Sequence, residues 1–135
     1  MNDLTILLTL KDRSHYTYRW LKYAEEYLQN FNIIIADGGK DKEIESFLKL
    51  KKNINLDYKY LRFPYDNTYE DYYKKINEAV KLVKTKFCVL ADNDDFFIKD
   101  SIEKSINFLK SNQDYSICRG QLGQFRIIEN TNTQK

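Results

Sequence analysis

This sequence has too few cysteine and histidine side chains for a zinc site. It contains two cysteines, one histidine and no C-x-x-C pair in 135 residues, so a site of the Cys/His type is excluded. Cys88 and Cys118 both lie in apolar stretches. We therefore predict two buried, reduced thiols and a cytoplasmic location, which includes the inner face of the membrane.

Long hydrophobic runs and an excess of one charge are also missing. No apolar run approaches the roughly 20 residues of a membrane-spanning helix. The first residues, MNDLTILLTLKDR, lack the basic leader and cleavage site of a signal peptide. We therefore expect no transmembrane segment. The 22 basic and 20 acidic residues leave a formal charge of +2. Binders of nucleic acid normally carry a concentrated basic excess, so we expect no nucleic-acid partner either.

Short apolar runs alternate along the chain with runs of helical periodicity. Three of the apolar runs show little polar alternation, as strands covered on both faces do. We predict one α/β domain over residues 1–135 with an open, mainly parallel, Rossmann-like sheet of about five strands and about four helices. A polar tail is expected over residues 129–135. The expected strands are Leu4–Leu10, Asn32–Ala36, Asp57–Phe63, Phe87–Ala91 and Tyr115–Arg119.

The helical runs between these strands each carry one apolar stripe. Residues spaced by three or four positions form stripes within 20–28, 44–48, 69–83 and 98–109. Asp100 and Glu103 have the spacing of a capping box and are expected to open the last helix.

Charged and polar residues follow three of the expected strands. The first strand is followed by Lys11–Arg13, the second by Asp37–Gly39 and the fourth by Asp92–Asp95. Ligands of open α/β sheets bind beyond the carboxyl ends of the strands, where the strand order reverses. Taken singly, the first segment is also typical of a solvated loop and the second of a tight glycine turn. The third segment is harder to explain in that way.

Asp92, Asp94 and Asp95 place three like charges within four positions, and neighbouring carboxylates oppose one another's ionisation. A divalent cation removes this repulsion, since hard ions such as Mg²⁺ prefer carboxylate oxygens and complete their coordination with water and phosphate. Lys11 or Arg13 would then meet the phosphate oxygens that the ion leaves free. The pattern therefore indicates a site for a metal-bound nucleoside diphosphate.

Other phosphate and metal motifs are absent or misplaced. The chain has neither a Walker loop nor a G-x-G-x-x-G loop, and Phe96 and Phe97 occupy the fifth and sixth positions of an EF-hand loop, where a ligand and a glycine are needed. A haloacid-dehalogenase phosphatase carries its Asp-x-Asp after the first strand. A response-regulator receiver needs an acidic pair there, where this chain has Asp12 between two cations, and an aspartate where it has Phe63-Pro64.

The chain resembles the nucleotide-binding half of a family-two glycosyltransferase with the GT-A fold. The matching segments are TLKDR after the first strand, DGG after the second, and INEAVKLVKTKF leading into TKFCVLADNDDF. The last of these is similar to the strand that leads into the family's DxD motif. The resemblance extends over Leu4–Arg119.

This resemblance implies a donor site and its cofactor. The donor is a nucleoside-diphosphate sugar, by default a UDP-sugar, the cofactor is Mn²⁺ or Mg²⁺, and the acceptor is a saccharide or a lipid-linked molecule. The implied nucleotide-sugar-binding residues are Thr9, Lys11, Arg13, Asp37 and Asp92, of which Asp37 faces the base. The implied metal ligands are Asp94, Asp92 and Asp95.

Two departures from the family pattern limit what is expected. The family places an arginine near the start of its third helix, where this chain has TYEDYYKK with Lys74 and Lys75. The catalytic base and the acceptor site of the family lie beyond the fifth strand, so the base is expected beyond Lys135. An alternative is a non-catalytic module that docks on a partner, or forms a homodimer, through its cluster of tyrosines and its uncovered sheet.

Overall fold

Strands and helices alternate as the hydrophobic pattern predicts. The computed structural model describes residues 3–50 and 54–125. The elements in chain order are β1 (Leu4–Leu10), α1 (Ser14–Tyr27), β2 (Asn32–Asp37), α2 (Glu43–Lys49), β3 (Lys59–Arg62), α3 (Tyr69–Val80), β4 (Phe87–Asp92) and α4 (Lys99–Ser111).

The four strands form one parallel sheet in the order β3-β2-β1-β4. The chain moves outward from β1 to β3 and then returns to the other side of β1 to form β4. The strand order therefore reverses between β1 and β4, and a ligand-binding crevice is expected at their carboxyl ends. The register places Thr9 beside Asp92 on one side and Leu10 beside Asp37 on the other.

The sheet is covered on both faces around β1, whose seven residues are all buried. On one face, alternate residues such as Ile6 and Leu8 pack in a core with Trp20 and Leu21 of α1. On the other face, residues of β1 and β2 pack against Ala79 of α3. The lack of polar alternation in β1 is explained by this double burial.

The predicted fifth strand, Tyr115–Arg119, is not a strand, so the sheet has four strands rather than five among the residues that the structure describes. Tyr115 and Ile117 of this segment are 54% and 79% exposed. A strand needs a neighbour that accepts and donates its backbone hydrogen bonds, and within the described residues β4 pairs only with β1. The predicted tail lies outside the described residues.

β4 is covered less completely than the other strands. Cys88 is exposed and Cys118 is only partly buried, so the prediction of two buried thiols was wrong. Cys88 shares a strand face with Leu90, which is 46% exposed. This face of β4 is exposed because α3 lies over β1 and β2 instead. Within residues 3–50 and 54–125, no helix is both long and apolar enough to cross a membrane.

The predicted capping box was also misplaced. Ile98 precedes α4 without a side-chain cap, whereas Thr68 and Asp71 form a capping box at the start of α3. Hydrogen bonds from Thr68 lower the pKa of the Asp71 carboxyl. This box fixes the beginning of the helix that flanks the crevice.

Candidate functional site

A cleft of about 680 Å³ opens at the carboxyl ends of β1 and β4. The start of α3 and the loop before it form its other wall. Five of the predicted site residues line the cleft: Thr9, Lys11, Arg13, Asp92 and Asp94. The predicted set of site residues does not include the other eight that line the cleft: Leu10, Asp66, Asn67, Thr68, Tyr69, Tyr72, Lys75 and Asn93.

The register of β1 and β4 positions the first aspartate of the acidic segment. Thr9 lies directly opposite Asp92, and its hydroxyl donates to Asp92 Oδ1 at 2.8 Å. The same hydroxyl lies 3.3 Å from the Ala91 carbonyl oxygen. Asp92 is therefore held in a fixed orientation at the floor of the cleft.

Arg13 reaches across the cleft mouth to the acidic segment. Its guanidinium donates to Asp94 Oδ2 and to Asn93 Oδ1, both at 3.1 Å. Asn93 is buried and donates in turn to the Thr17 hydroxyl at 3.0 Å. Arg13 also lies over the Tyr16 ring, with 4.9 Å between Cζ and the ring centroid. The first loop and the loop after β4 are thus joined by side chains.

Asp37 is buried beneath this edge and does not line the cleft. Its Oδ1 accepts from the Gly39 amide at 2.8 Å, and its Oδ2 accepts from Tyr60 at 2.6 Å and from Arg62 at 2.9 Å. Burial, together with the hydrogen bond to Asp37, raises the pKa of Tyr60. These contacts give Asp37 a role in joining the ends of β2 and β3, and its contact with a nucleotide base stays a prediction.

Asp95 also lies outside the cleft lining. Burial raises the pKa of its carboxyl, and the charges of Asp94 and Asp92 raise it further. In the part of the chain that the structure describes, no three His, Cys, Asp or Glu side chains are grouped to hold a metal ion. The two carboxylates in the cleft, Asp92 and Asp94, nevertheless fit a Mg²⁺-type ion, because such ions commonly take one or two carboxylates together with water and phosphate.

A buried ion pair between Lys75 and Asp66 forms the inner wall of the cleft. The two side chains are 1% and 3% exposed, and the Lys75 ammonium also donates to the Leu10 carbonyl at 2.9 Å. The amide of Asp66 donates to the Gly38 carbonyl, and the amide of Gly38 donates to Leu10. The pair therefore ties the loop before α3 to the ends of β1 and β2.

The close approach of Asp66 explains why the second loop carries glycine. A Cβ atom built at Gly38 would lie 2.3 Å from Asp66 Oδ1, which is far inside van der Waals contact. The glycine turn is thus required by packing in this wall of the cleft. Lys75 itself had a signal in the sequence, because it falls between Tyr72 and Ala79 on the apolar stripe of α3.

The profile of glycosyl transferase family 2 matches residues 5–132. The chain belongs to this family. The expected family membership and the α/β fold class are therefore confirmed. Comparison with curated proteins finds no match in sequence.

Solved structures of another protein share the fold. S. aureus TarS, its fragment 1–349 and that fragment in complex with UDP each superpose with a TM-score of 0.61 and 16% identity over 83% of this chain. The chain spans 20% of the first structure and 33% of the other two. At 16% identity, this likeness concerns the fold alone.

Replacing Lys75 with methionine is expected to lower the free energy of unfolding by about 3–5 kcal/mol, because the Asp66 carboxylate is left buried without its partner. The matched control is Lys74→Met. Lys74 pairs with Glu70 while both side chains are more than two-thirds exposed, at 68% and 76%, and pairs at such exposure contribute little to stability. Urea unfolding measures both, and equal losses would contradict the role given to the buried pair.

Proposed function

We propose that this domain binds a nucleoside-diphosphate sugar in the cleft and serves as the donor-binding part of a glycosyltransferase. The observation that carries the proposal is that carboxylates and cationic side chains lie together where the strand order of this family 2 domain reverses, at the ends of β1 and β4. Asp92 and Asp94 line the same cleft as Lys11 and Arg13. Such a site offers carboxylates to a cation and guanidinium or ammonium groups to phosphate oxygens.

Each side chain then has a distinct role toward the donor. Thr9 orients Asp92, which contacts the ribose or the sugar, while Arg13 and Lys11 contact the diphosphate. Asp94 and Asp92 are the proposed ligands of Mn²⁺ or Mg²⁺, and Asp95 supports them through its charge. When bound, the cation supplies Lewis-acid stabilisation of the charge that develops on the leaving diphosphate.

UDP is the nucleotide of choice for a first test, because one of the structural neighbours was solved with UDP. For this chain, a UDP-sugar donor is a proposal that rests on the shared family and fold. The neighbours are three to five times as long as the matched region, since it covers 33% or 20% of them. We propose that the catalytic base and the acceptor site belong to a part of the enzyme outside this donor-binding domain.

Binding of UDP with Mn²⁺ is expected to raise the melting temperature by several degrees. A ligand at 100 times its dissociation constant stabilises the folded state by about 2.7 kcal/mol, and about 1 kcal/mol shifts the melting temperature of a domain of this size by roughly 2–8 °C. Asp94→Asn should remove most of the gain, because it removes a carboxylate ligand. Thermal unfolding with and without ligand measures this.

The control for that substitution is Asp114→Asn, which changes an exposed aspartate in the turn that follows α4. It should leave the ligand-induced shift intact. An undiminished shift in Asp94→Asn would remove Asp94 from the proposed site, and the absence of any shift in the unaltered protein would contradict donor binding.

Self-association is the second function that a specific observation favours. Leu90 of β4 is 46% exposed. In the segment after α4, Ile117, Leu122 and Phe125 are 79%, 76% and 77% exposed. Tyr69 and Tyr73, from the predicted aromatic cluster, are also exposed. Exposed apolar surface of this kind commonly marks a protein contact.

If a homodimer forms through the surface near β4, sedimentation velocity should show a dimer whose population falls with Leu90→Lys. The charged side chain would oppose burial of that strand face. Tyr27→Lys, which changes another exposed apolar residue on α1, is the control. A monomer at every concentration would count against self-association.

A further inference from the structure

The loop between β1 and α1 places a guanidinium on the carboxylate that the proposed cation requires. The Arg13 guanidinium lies 3.1 Å from Asp94 Oδ2, so it neutralises this carboxylate. The second contact of Arg13 is with the buried amide of Asn93, which Thr17 holds in place. Arg13 is thus docked on one fixed group and on one carboxylate at the surface.

The ion pair is exposed enough to exchange. The side chains of Arg13 and Asp94 are 50% and 40% exposed, and pairs with such exposure contribute little to stability because water and salt compete for both partners. The bond to Asp94 can therefore be replaced by a better one without disrupting the core.

The backbone of the same loop is held in an unusual conformation. Asp12 and Arg13 both have positive φ angles, 55° and 53°, a region that side chains other than glycine seldom occupy. The Asp12 carboxylate accepts from the Lys40 amide at 2.6 Å, which anchors the loop to the segment after β2. Backbone strain of this kind is typical of ligand clamps and switch regions.

We propose that Arg13 is an exchangeable counter-ion that makes a divalent cation bind more tightly together with a diphosphate than alone. In the free protein it occupies Asp94. When a cation arrives bound to a nucleoside diphosphate, Asp94 transfers to the cation and Arg13 transfers to the phosphate oxygens. A free cation must instead displace Arg13 with no anion to receive it, which leaves two like charges side by side. This inference rests on the proposed function.

The exchange makes the two ligands cooperative. Diphosphate tightens cation binding because it removes Arg13 from Asp94, and by linkage the cation tightens diphosphate binding by the same factor. Lys11 does not have this role, since its ammonium lies 4.8 Å from the centroid of the Tyr65 ring and the described contacts of Asp94 include Arg13 rather than Lys11. Both residues are cations at one cleft, so they form a matched pair for a test.

The test is a titration of Mn²⁺ followed by the electron paramagnetic resonance signal of the free ion, with and without UDP. Three proteins are compared: the unaltered chain, Arg13→Gln and Lys11→Gln. In the unaltered chain, UDP should tighten Mn²⁺ binding by about tenfold or more, within the usual range of coupling between sites. Arg13→Gln should bind Mn²⁺ alone several-fold more tightly and should lose most of the coupling.

Lys11→Gln removes the same charge without freeing Asp94, so it should weaken UDP binding and leave the affinity for Mn²⁺ alone nearly unchanged. Equal gains in Mn²⁺ affinity for the two variants, or no gain for Arg13→Gln, would overturn the exchange while leaving donor binding intact. Failure of the unaltered chain to bind both Mn²⁺ and UDP would overturn the exchange and the proposed function together. Circular dichroism confirms that each variant is folded, and Arg13→Lys, which keeps the charge, should retain part of the coupling.

Discussion

A single buried ammonium group determines the shape of the cleft. Lys75 projects from α3 to the carbonyl at the end of β1 and to Asp66, whose backbone is bonded to the glycine turn after β2. Two opposite charges removed from water in this way are costly unless they are fully paired. Since Lys75 of α3 and Asp66 of the preceding loop are also bonded to the ends of β1 and β2, these segments are fixed relative to one another, and α3 stands at a set distance from the sheet.

The acidic segment after β4 is tolerable because its charges are distributed among different partners. Asp92 accepts from Thr9 across the strand register, and Asp94 is paired with Arg13. Asp95 remains beside both, and its pKa is raised by burial and by their charges. The electrostatic cost of such a cluster is reduced further by any cation that bridges it to a phosphate. This is the physical reason for proposing a donor site that depends on a cation.

Patterns in the sequence were sufficient to predict the fold and five of the residues that line the cleft. Double burial left a plain signal in β1, with predicted bounds that match the structure, and parallel strands brought the ends of β1 and β4 together. The fifth strand was predicted wrongly, because strand formation depends on a neighbour that no local pattern reveals. The contact of Asp37 with a nucleotide base stays a prediction, and no local pattern indicated that its oxygens accept from Tyr60, Arg62 and Gly39. The ion pair between Asp66 and Lys75 was not predicted, since the position of Lys75 on the apolar stripe of α3 indicates burial but does not reveal its partner in the preceding loop.

We propose above all that the cleft at the carboxyl ends of β1 and β4 binds a nucleoside diphosphate with a cation. The most direct measurement is residue-resolved NMR of the ¹⁵N-labelled chain titrated with UDP and Mg²⁺, followed by Mn²⁺ to broaden nearby amides. We expect the amide signals of Arg13 and Asn67 to shift, and those of Asp92–Asp95 to broaden most strongly. A smaller cleft of about 310 Å³ at the opposite edge of the sheet, lined in part by Thr5 and Thr85, is the internal reference. Shifts and broadening confined to that edge, or none at all, would contradict the claim.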